Sequence, residues 1–170
     1  MHLDVARALQ ASGEEIPFAL SEPCEPIDWD GETLRFVSPV DVRGHTVSAR
    51  EEMWVSATVS ARMARSCASC LGEAEYDVEA PLTACFSHTP DPEDPDVFAF
   101  EGHTLSLYDA AVGALLLEMP MRALCKPDCL GLCPTCGVNR NLTTCSCQKE
   151  LPSKQPFSAL ASLLIQDEEV

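Results

Sequence analysis

The sequence predicts an α+β protein with an antiparallel β-sheet or small open barrel core, two packing helices and a cysteine-rich module. Three observations support this fold class. Apolar and polar residues alternate through residues 53–63 and 76–86, which is the period of half-buried strands. Two further segments carry apolar residues at helical spacing. Six of the ten cysteines lie between Cys125 and Cys147, and packing alone gives thiols no reason to cluster.

The N-terminal region is not expected to form one long element. A short amphipathic start around Leu3 and Leu9 precedes a stretch rich in proline and acidic residues in residues 1–32. Cys24 stands alone there and is interpreted as an inert thiol. A strand running up to Gly44 is predicted next, interrupted in its pattern by Pro39, from the alternation of Leu34, Phe36, Ser38, Val40 and Val42.

Two long strands joined by a short connection form the clearest prediction. Alternate positions are apolar or small at Met53, Val55, Ala57, Val59, Ala61 and Met63, and again at Tyr76, Val78, Ala80, Leu82, Ala84 and Phe86. The connection contains Cys67 and Cys70, so this pair is expected where an antiparallel hairpin turns. Pro81 predicts an edge position or a bulge for the second strand. Cys85 is expected on the polar side, away from the tip and outside the ligand set.

A loop and two helices are predicted after the hairpin. Residues 87–97 hold three prolines and four acidic residues, which favours an exposed, mobile loop without the ligand spacing of a calcium site. A helical stripe after Ser106 predicts a helix with Asp109 as its N-terminal capping residue and its end before Pro120. Pro156 is expected to begin an amphipathic C-terminal helix over residues 156–166 that packs on the sheet.

Charge and composition narrow the compartment and the class of partner. The chain has 170 residues and a formal net charge of −16, with residues 1–34 and 73–101 strongly acidic. Residues 122–154 carry five basic residues against two acidic ones. We find no sequence typical of a membrane span or a signal peptide, so a cytoplasmic location without a membrane partner is expected. Thiols stay reduced there, which favours metal binding over disulfides.

The cysteine pattern predicts structural zinc. Cys133-Pro134-Thr135-Cys136-Gly137 places two thiolates at the spacing of a zinc knuckle, and the glycine permits the tight turn that follows. Four thiolates around one zinc ion form a closed, structural site. The sequence offers eight candidate ligands, which would hold one or two zinc ions. A single site with spare cysteines is the alternative. The candidates are Cys67, Cys70, Cys125, Cys129, Cys133, Cys136, Cys145 and Cys147.

These features predict one domain over residues 1–170. Its parts are a sheet core with a helix at 33–120, a cysteine-rich zinc-binding segment at 121–150 and the C-terminal helix at 156–166. Zinc would then tie a segment with few apolar residues to the sheet.

Two catalytic interpretations are weaker. Cys129, Cys133 and Cys136 have the spacing of a radical-SAM cluster, but the chain is too short for the barrel that such chemistry needs. The C-x2-C pairs could exchange disulfides, yet neither pair opens a helix in a βαβ context. We find no Ser/His/Asp set or phosphate loop. The protein is therefore expected not to be an enzyme and to have no small-molecule substrate.

Several motifs together resemble the YceD family. They are Cys67-Ala68-Ser69-Cys70-Leu71 after a strand, the helix ending at Leu117-Glu118-Met119-Pro120, the cluster Gly131-Leu132-Cys133-Pro134-x-Cys136-Gly137-x-Asn139-x-Asn141, and the closing Pro156-Phe157-x-Ala159-Leu160. Members are described as large ribosomal RNA subunit accumulation proteins and are associated with metal and nucleic-acid binding. The resemblance implies a role in the synthesis, processing or stability of large-subunit ribosomal RNA.

The charge distribution leaves two kinds of partner open. Large-subunit ribosomal RNA could contact the basic residues near the cysteines, which are Arg62, Arg65, Arg122, Lys126, Arg140 and Lys149. Alternatively, the acidic surface could make the protein a binding module or chaperone for a basic ribosomal protein. The sequence does not decide between them.

Overall fold

A computed structural model describes residues 1–50, 52–90, 93–94 and 96–147. Its elements in chain order are β1 (His2–Asp4), α1 (Ala6–Gln10), β2 (Ile16–Glu22), β3 (Ile27–Trp29), β4 (Glu32–Phe36), β5 (Val40–Ala49), β6 (Glu52–Ser66), β7 (Glu73–Ser87), β8 (Val97–Ala99), β9 (Thr104–Ser106) and α2 (Tyr108–Glu118). The protein is thus mostly antiparallel sheet with two helices in the described part of the chain. The barrel alternative stays a prediction.

The long hairpin of β6 and β7 is the centre of the sheet, as predicted. The two strands pair antiparallel in one unbroken register, from Glu52 opposite Ser87 to Ser66 opposite Glu73. Alternate side chains of β6, such as Met53 and Val59, are fully buried in the core. Because the register holds to the last pair, the hairpin carries its turn, and the cysteines in it, well away from the middle of the sheet.

The other edge of β6 pairs with two different strands. β5 lies along residues 52–60 of β6, and β4 pairs farther on at Ala64 and Met63. The single strand predicted from Leu34 to Gly44 is therefore wrong, because the chain leaves β4 after Phe36 and starts β5 at Val40. Pro39 lies in this break. Inside a paired strand its missing N–H would leave a gap in the hydrogen-bond ladder, and a position between two strands avoids that loss.

Residues before the predicted core range also join the sheet. β2 pairs with β5 over seven residues, from Ile16 opposite Thr46 to Glu22 opposite Val40. β1 pairs with β9 in a separate two-stranded sheet. The sheet therefore begins well before residue 33, the predicted start of the sheet core.

The outer side of β7 is an edge over most of its length. β8 pairs with it in parallel, but only at Cys85, Phe86 and Ser87. Pro81 lies in the remaining part, which has no strand partner among the described residues, and the register shows no bulge there. The edge alternative predicted from Pro81 is confirmed.

α2 packs on β6 and β7 and buries Ala111 and Leu115 against the core. It ends at Glu118, before Pro120, as predicted. Asp109 lies in the first turn, but the N-cap is Leu107 and no side chain of the described residues caps the helix. The capping role predicted for Asp109 is therefore wrong, although its charge still suits the positive end of the helix. The predicted helix at 156–166 lies outside the described residues.

α2 is the longest described helix, with 11 residues. In the part of the chain that the structure covers, no helix has both the length and the apolar character needed to cross a bilayer.

Candidate metal centre

The turn of the long hairpin is a knuckle built on Cys67 and Cys70. The N–H of Leu71 donates to the carbonyl of Cys67 at 2.9 Å, and the N–H of Cys67 donates to the carbonyl of Gly72 at 2.6 Å. Leu71 adopts a left-handed conformation with φ of 58° to close this turn. Both cysteines are buried. The result is a short loop whose two thiols lie together at the end of β6.

The second C-x2-C pair repeats the same backbone pattern. The N–H of Gly137 donates to the carbonyl of Cys133 at 2.8 Å, and the N–H of Cys133 donates to the carbonyl of Val138 at 2.8 Å. Gly137 has φ of 71°, the conformation that Leu71 adopts in the first knuckle and that glycine adopts without strain. Two segments far apart in sequence therefore form the same knuckle.

The eight candidate ligands gather in two groups of four. One group, called site 1 here, contains Cys67, Cys70, Cys125 and Cys129. The other, site 2, contains Cys133, Cys136, Cys145 and Cys147. Within each group all sulfur atoms lie within 4.8 Å of one another. Site 1 thus joins the hairpin turn to the C-terminal segment, whereas site 2 lies wholly within that segment.

The sulfur spacing fits a tetrahedral ion. Zinc–sulfur bonds of about 2.3 Å place neighbouring sulfurs about 3.8 Å apart in a regular tetrahedron. In site 1 the sulfurs of Cys67 and Cys129 lie 3.8 Å apart, and those of Cys70 and Cys125 lie 3.6 Å apart. Four soft donors at this spacing suit zinc or an iron–sulfur centre better than a hard cation such as Mg²⁺ or Ca²⁺.

Backbone contacts hold the two parts of site 1 together. The N–H of Ala68 donates to the carbonyl of Ala123 at 2.9 Å, and the N–H of Leu132 donates to that of Ser69 at 3.0 Å. Gly131, at φ of 68°, comes so close to Ser69 that a Cβ there would lie 2.9 Å from the Ser69 carbonyl oxygen. The hairpin turn therefore packs closely against residues 121–132.

Hydrogen bonds from the backbone favour a thiolate at the first cysteine of each knuckle. Burial opposes ionisation of Cys67, but backbone hydrogen bonds from Cys125, Ser69 and Cys70 lower its pKa to about 6. Backbone hydrogen bonds from Cys136 and Thr135 lower the pKa of Cys133 to about 6 as well. Such donors stabilise the negative charge on the sulfur.

The partner thiols shift in the opposite direction. The hydrogen bond with Cys70 raises the pKa of Cys125 to about 12, and the one with Cys136 raises the pKa of Cys147 to about 12. A hydrogen bond with Cys133 likewise raises the pKa of Cys145. Thiols and thiolates thus share protons in each group, because close negative sulfurs repel. A cation binding there would release those protons.

One polar residue supports site 1 from outside the ligand set. The side-chain amide of Asn141 donates to the sulfur of Cys129 at 3.3 Å, and its carbonyl oxygen accepts from the N–H of Leu130 at 3.0 Å. The same amide also donates a hydrogen bond to the side-chain oxygen of Asn139 at 2.9 Å. Neither asparagine was predicted from the sequence to support a metal site. The Asn-x-Asn spacing directly after a knuckle was the signal available.

The remaining cysteines lie outside both groups. Cys24 is half-buried, and Cys85 is buried beside Val97 of β8. Cys85 lies on the predicted side of β7, opposite half-exposed Trp54 and away from the core residues Ala84 and Phe86, but it is shielded from solvent. Its exclusion from the ligand set agrees with the two groups that form.

The candidate phosphate-binding residues fall into two classes. Arg62 lies 3.1 Å from a carboxylate oxygen of Asp77, and Arg65 lies 2.6 Å from one of Glu32. The other class lies in the cysteine-rich segment and comprises Arg122, which donates to the hydroxyl of Ser69 at 2.9 Å, with exposed Lys126 and half-buried Arg140. Lys149 lies outside the described residues. Only the second class surrounds the metal sites without a carboxylate partner in the described chain.

Comparison with known proteins places these features in a family. Residues 55–164 match the family described as Large ribosomal RNA subunit accumulation protein YceD. The chain is 36% identical over 105 residues to the uncharacterized protein Rv2926c of Mycobacterium tuberculosis, covering 58% of this chain and 49% of the relative. It is 29% identical over 139 residues to the uncharacterized protein YlbN of Bacillus subtilis, covering 80% of each.

The chain spans about half the length of the mycobacterial relatives that it matches. No solved structure matches it. The matched range contains most of the β6 and β7 hairpin, α2 and all eight grouped cysteines. The chain therefore belongs to the YceD family of large ribosomal RNA subunit accumulation proteins.

Proposed function

We propose that this protein is a non-enzymatic factor in the synthesis, processing or stability of large-subunit ribosomal RNA. The observation that carries this function is the match of residues 55–164 to a family described by the accumulation of that RNA. Two closed groups of four sulfurs add support, because a metal bound by four thiolates has no open position for a substrate.

We further propose that each group holds one zinc ion with a structural role. All-sulfur donors at tetrahedral spacing are typical of such sites. At site 1, Cys67 and Cys70 would bring the hairpin turn, and Cys125 and Cys129 the C-terminal segment. Zinc binding would therefore stabilise the docking of residues 121–132 on the sheet.

We assign RNA contact to the surface around the two sites. Arg122, Lys126 and Arg140 lie there without carboxylate partners in the described chain, whereas Arg62 and Arg65 are paired with Asp77 and Glu32. A cation that is already paired with a carboxylate contributes less binding free energy to a phosphate contact, because the existing ion pair has to be broken or shared. The strong negative charge elsewhere would keep the RNA on this one surface.

Neutralising these three cations should reduce large-subunit RNA in cells. In a strain lacking the gene, the variant with Arg122, Lys126 and Arg140 changed to Gln should leave the ratio of large- to small-subunit RNA as low as in the deletion. A matched control changes Arg7, Arg43 and Arg50 to Gln, three exposed cations outside this surface, and should restore the ratio fully. Normal ratios and subunit profiles in the deletion strain itself would contradict the proposed function.

Binding of purified protein to large-subunit RNA separates direct contact from an indirect role. Three phosphate contacts predict a slope of log affinity against log salt of about −2, which the triple variant should lose and the control should keep. A low RNA ratio in the deletion strain, together with no measurable RNA binding, would leave the role in RNA accumulation standing and exclude direct contact.

A further inference from the structure

A groove lies between α2 and the outer edge of β7, on a part of the protein away from the metal sites. Its volume is about 800 Å³, within the range of binding clefts. Apolar and small side chains from both elements line it, including Leu82, Ala84, Ala114 and Leu117. Gly113 contributes no side chain, which leaves room beside α2. The shape is that of a trough open to solvent along one side.

Large apolar side chains at the groove are left in water. Leu117 is 87% exposed at the last turn of α2, and Trp54 is 45% exposed on β6. A single exposed leucine is ordinary on a protein surface, but here both side chains border one trough. Covering them would remove apolar surface from water and so stabilise a complex.

The charged residues that the structure describes around the groove are all acidic. Among the described residues its lining contains five carboxylates and neither lysine nor arginine, and the acidic residues are Glu52, Asp94, Asp96, Asp109 and Glu118. None of them takes part in an ion pair within the described residues. Leu117 and Glu118 also lie at the C-terminal end of α2, where the helix dipole adds negative potential. An apolar trough with this rim favours an occupant that is apolar on one side and basic on the other.

The edge of β7 limits how that occupant can bind. Pro81 lies in the groove and has no N–H to offer, so a partner strand could not continue the ladder through this point. Side chains inserted from an amphipathic helix need no backbone pairing, and they would follow the trough at the spacing i, i+3, i+4, i+7.

We propose that this groove binds a basic amphipathic helix of a protein partner. Charge complementarity selects the partner class, since nucleic acid would be repelled by the five carboxylates. Residues 148–170 of the chain itself carry two lysines against four acidic residues, and a second copy carries the net charge of −16, so neither is complementary. This docking surface is independent of the proposed RNA contact, and either can fail without the other.

The full-length protein with Trp29 changed to Phe tests the groove, because Trp54 is then its only tryptophan. The probe is a synthetic helix of about 16 residues with leucine at the i, i+3, i+4, i+7 positions and lysine elsewhere. Binding of this helix should shift the fluorescence emission of Trp54, and the affinity of the protein for the helix should fall as the salt concentration rises. The same helix with glutamate in place of lysine should bind at least about tenfold more weakly.

Variants locate the binding site. The change L117S should weaken binding about tenfold and D94N with D96N about fivefold, because they remove apolar contact and rim charge respectively. The matched control E14Q with E15Q removes two exposed carboxylates outside the groove and should leave the affinity unchanged. Equal losses in the control and the rim variant would overturn the proposal.

Other occupants give distinct results. Failure of the basic helix to bind at low salt, while the protein stays folded, would overturn the proposal. So would a single-stranded RNA that competes with the helix for the Trp54 signal. A dimer in sedimentation experiments that L117S abolishes would identify a second copy as the occupant and would also overturn it.

Discussion

Changing Cys67 and Cys70 together to Ser is expected to lower the bound metal from two ions per chain to one. These residues supply half of site 1, and their sulfurs lie at tetrahedral spacing from those of Cys129 and Cys125. Serine hydroxyls do not replace thiolates as zinc ligands. Structural zinc contributes on the order of 10 kcal/mol in small zinc-binding peptides, so the hairpin turn should separate from residues 121–132.

Metal content by mass spectrometry and amide exchange at residues 67–72 measure this result. Exchange should rise at the turn and at residues 121–132, while the paired parts of β6 and β7 stay protected by their continuous ladder and buried core.

Two control variants accompany the measurement. Changing Cys24 to Ser and Cys85 to Ala removes two thiols outside both groups and should leave two ions bound. Changing Cys133 and Cys136 to Ser should also leave one ion, now in site 1, and should raise exchange in residues 133–147 instead. Two ions retained after the change at Cys67 and Cys70, or after the change at Cys133 and Cys136, would contradict the assignment of ligands to the two sites.

The substitution Gly44→Ala is expected to unfold much of the sheet. Gly44 lies in β5 between Phe18 of β2 and Ala57 of β6. A Cβ there would lie 2.1 Å from the carbonyl oxygen of Ser56 and 2.5 Å from the Cα of Ala57. Both are backbone atoms, which cannot move without separating β5 from β6. We expect a loss of about 3 kcal/mol or more in the free energy of unfolding.

Urea unfolding followed by far-UV circular dichroism measures this loss. The matched control is Gly113→Ala in α2, where an added Cβ meets no atom of the described residues within 4 Å. It should stabilise the protein by about 0.5–1 kcal/mol, because alanine favours helix over glycine. A Gly44→Ala variant with the stability of the parent protein would show that β5 and β6 are not paired in this register.

Local patterns predicted the hairpin and the knuckles well. The alternation from Met53 to Met63 reports directly on which side chains face the core, and C-x2-C spacing is a property of four consecutive residues. The end of α2 before Pro120 was equally local. Each of these features depends on residues that are close together in the chain.

Long-range features were harder to predict. Cys67 and Cys129 are 62 residues apart, so their meeting depends on how residues 121–132 dock on the hairpin turn. Their assignment to one group could not be read from spacing. Gly44 gave no sign of the close approach of β6, because its tight contacts come from Ser56 and Ala57.

The strand β2 was not predicted from the sequence, for a different reason. Ile16, Phe18 and Leu20 alternate in β2, but Pro17 and the acidic residues nearby hid the pattern. β2 lies at an edge of the sheet and pairs with β5 on one side. A strand at an edge tolerates proline, because its other side needs no hydrogen-bond partner. Ile16, Phe18 and Leu20 are only partly buried, unlike most of the alternate residues of β6, so the contrast between the two faces of β2 is weaker.

The metal content of the freshly reduced, full-length protein tests the central claim most directly, namely that two groups of four thiolates each hold one structural zinc ion. Native mass spectrometry combined with elemental analysis counts and identifies the ions in one preparation. We expect two zinc ions per chain and a colourless protein. A stoichiometry of zero, or a coloured preparation containing iron, would contradict the claim.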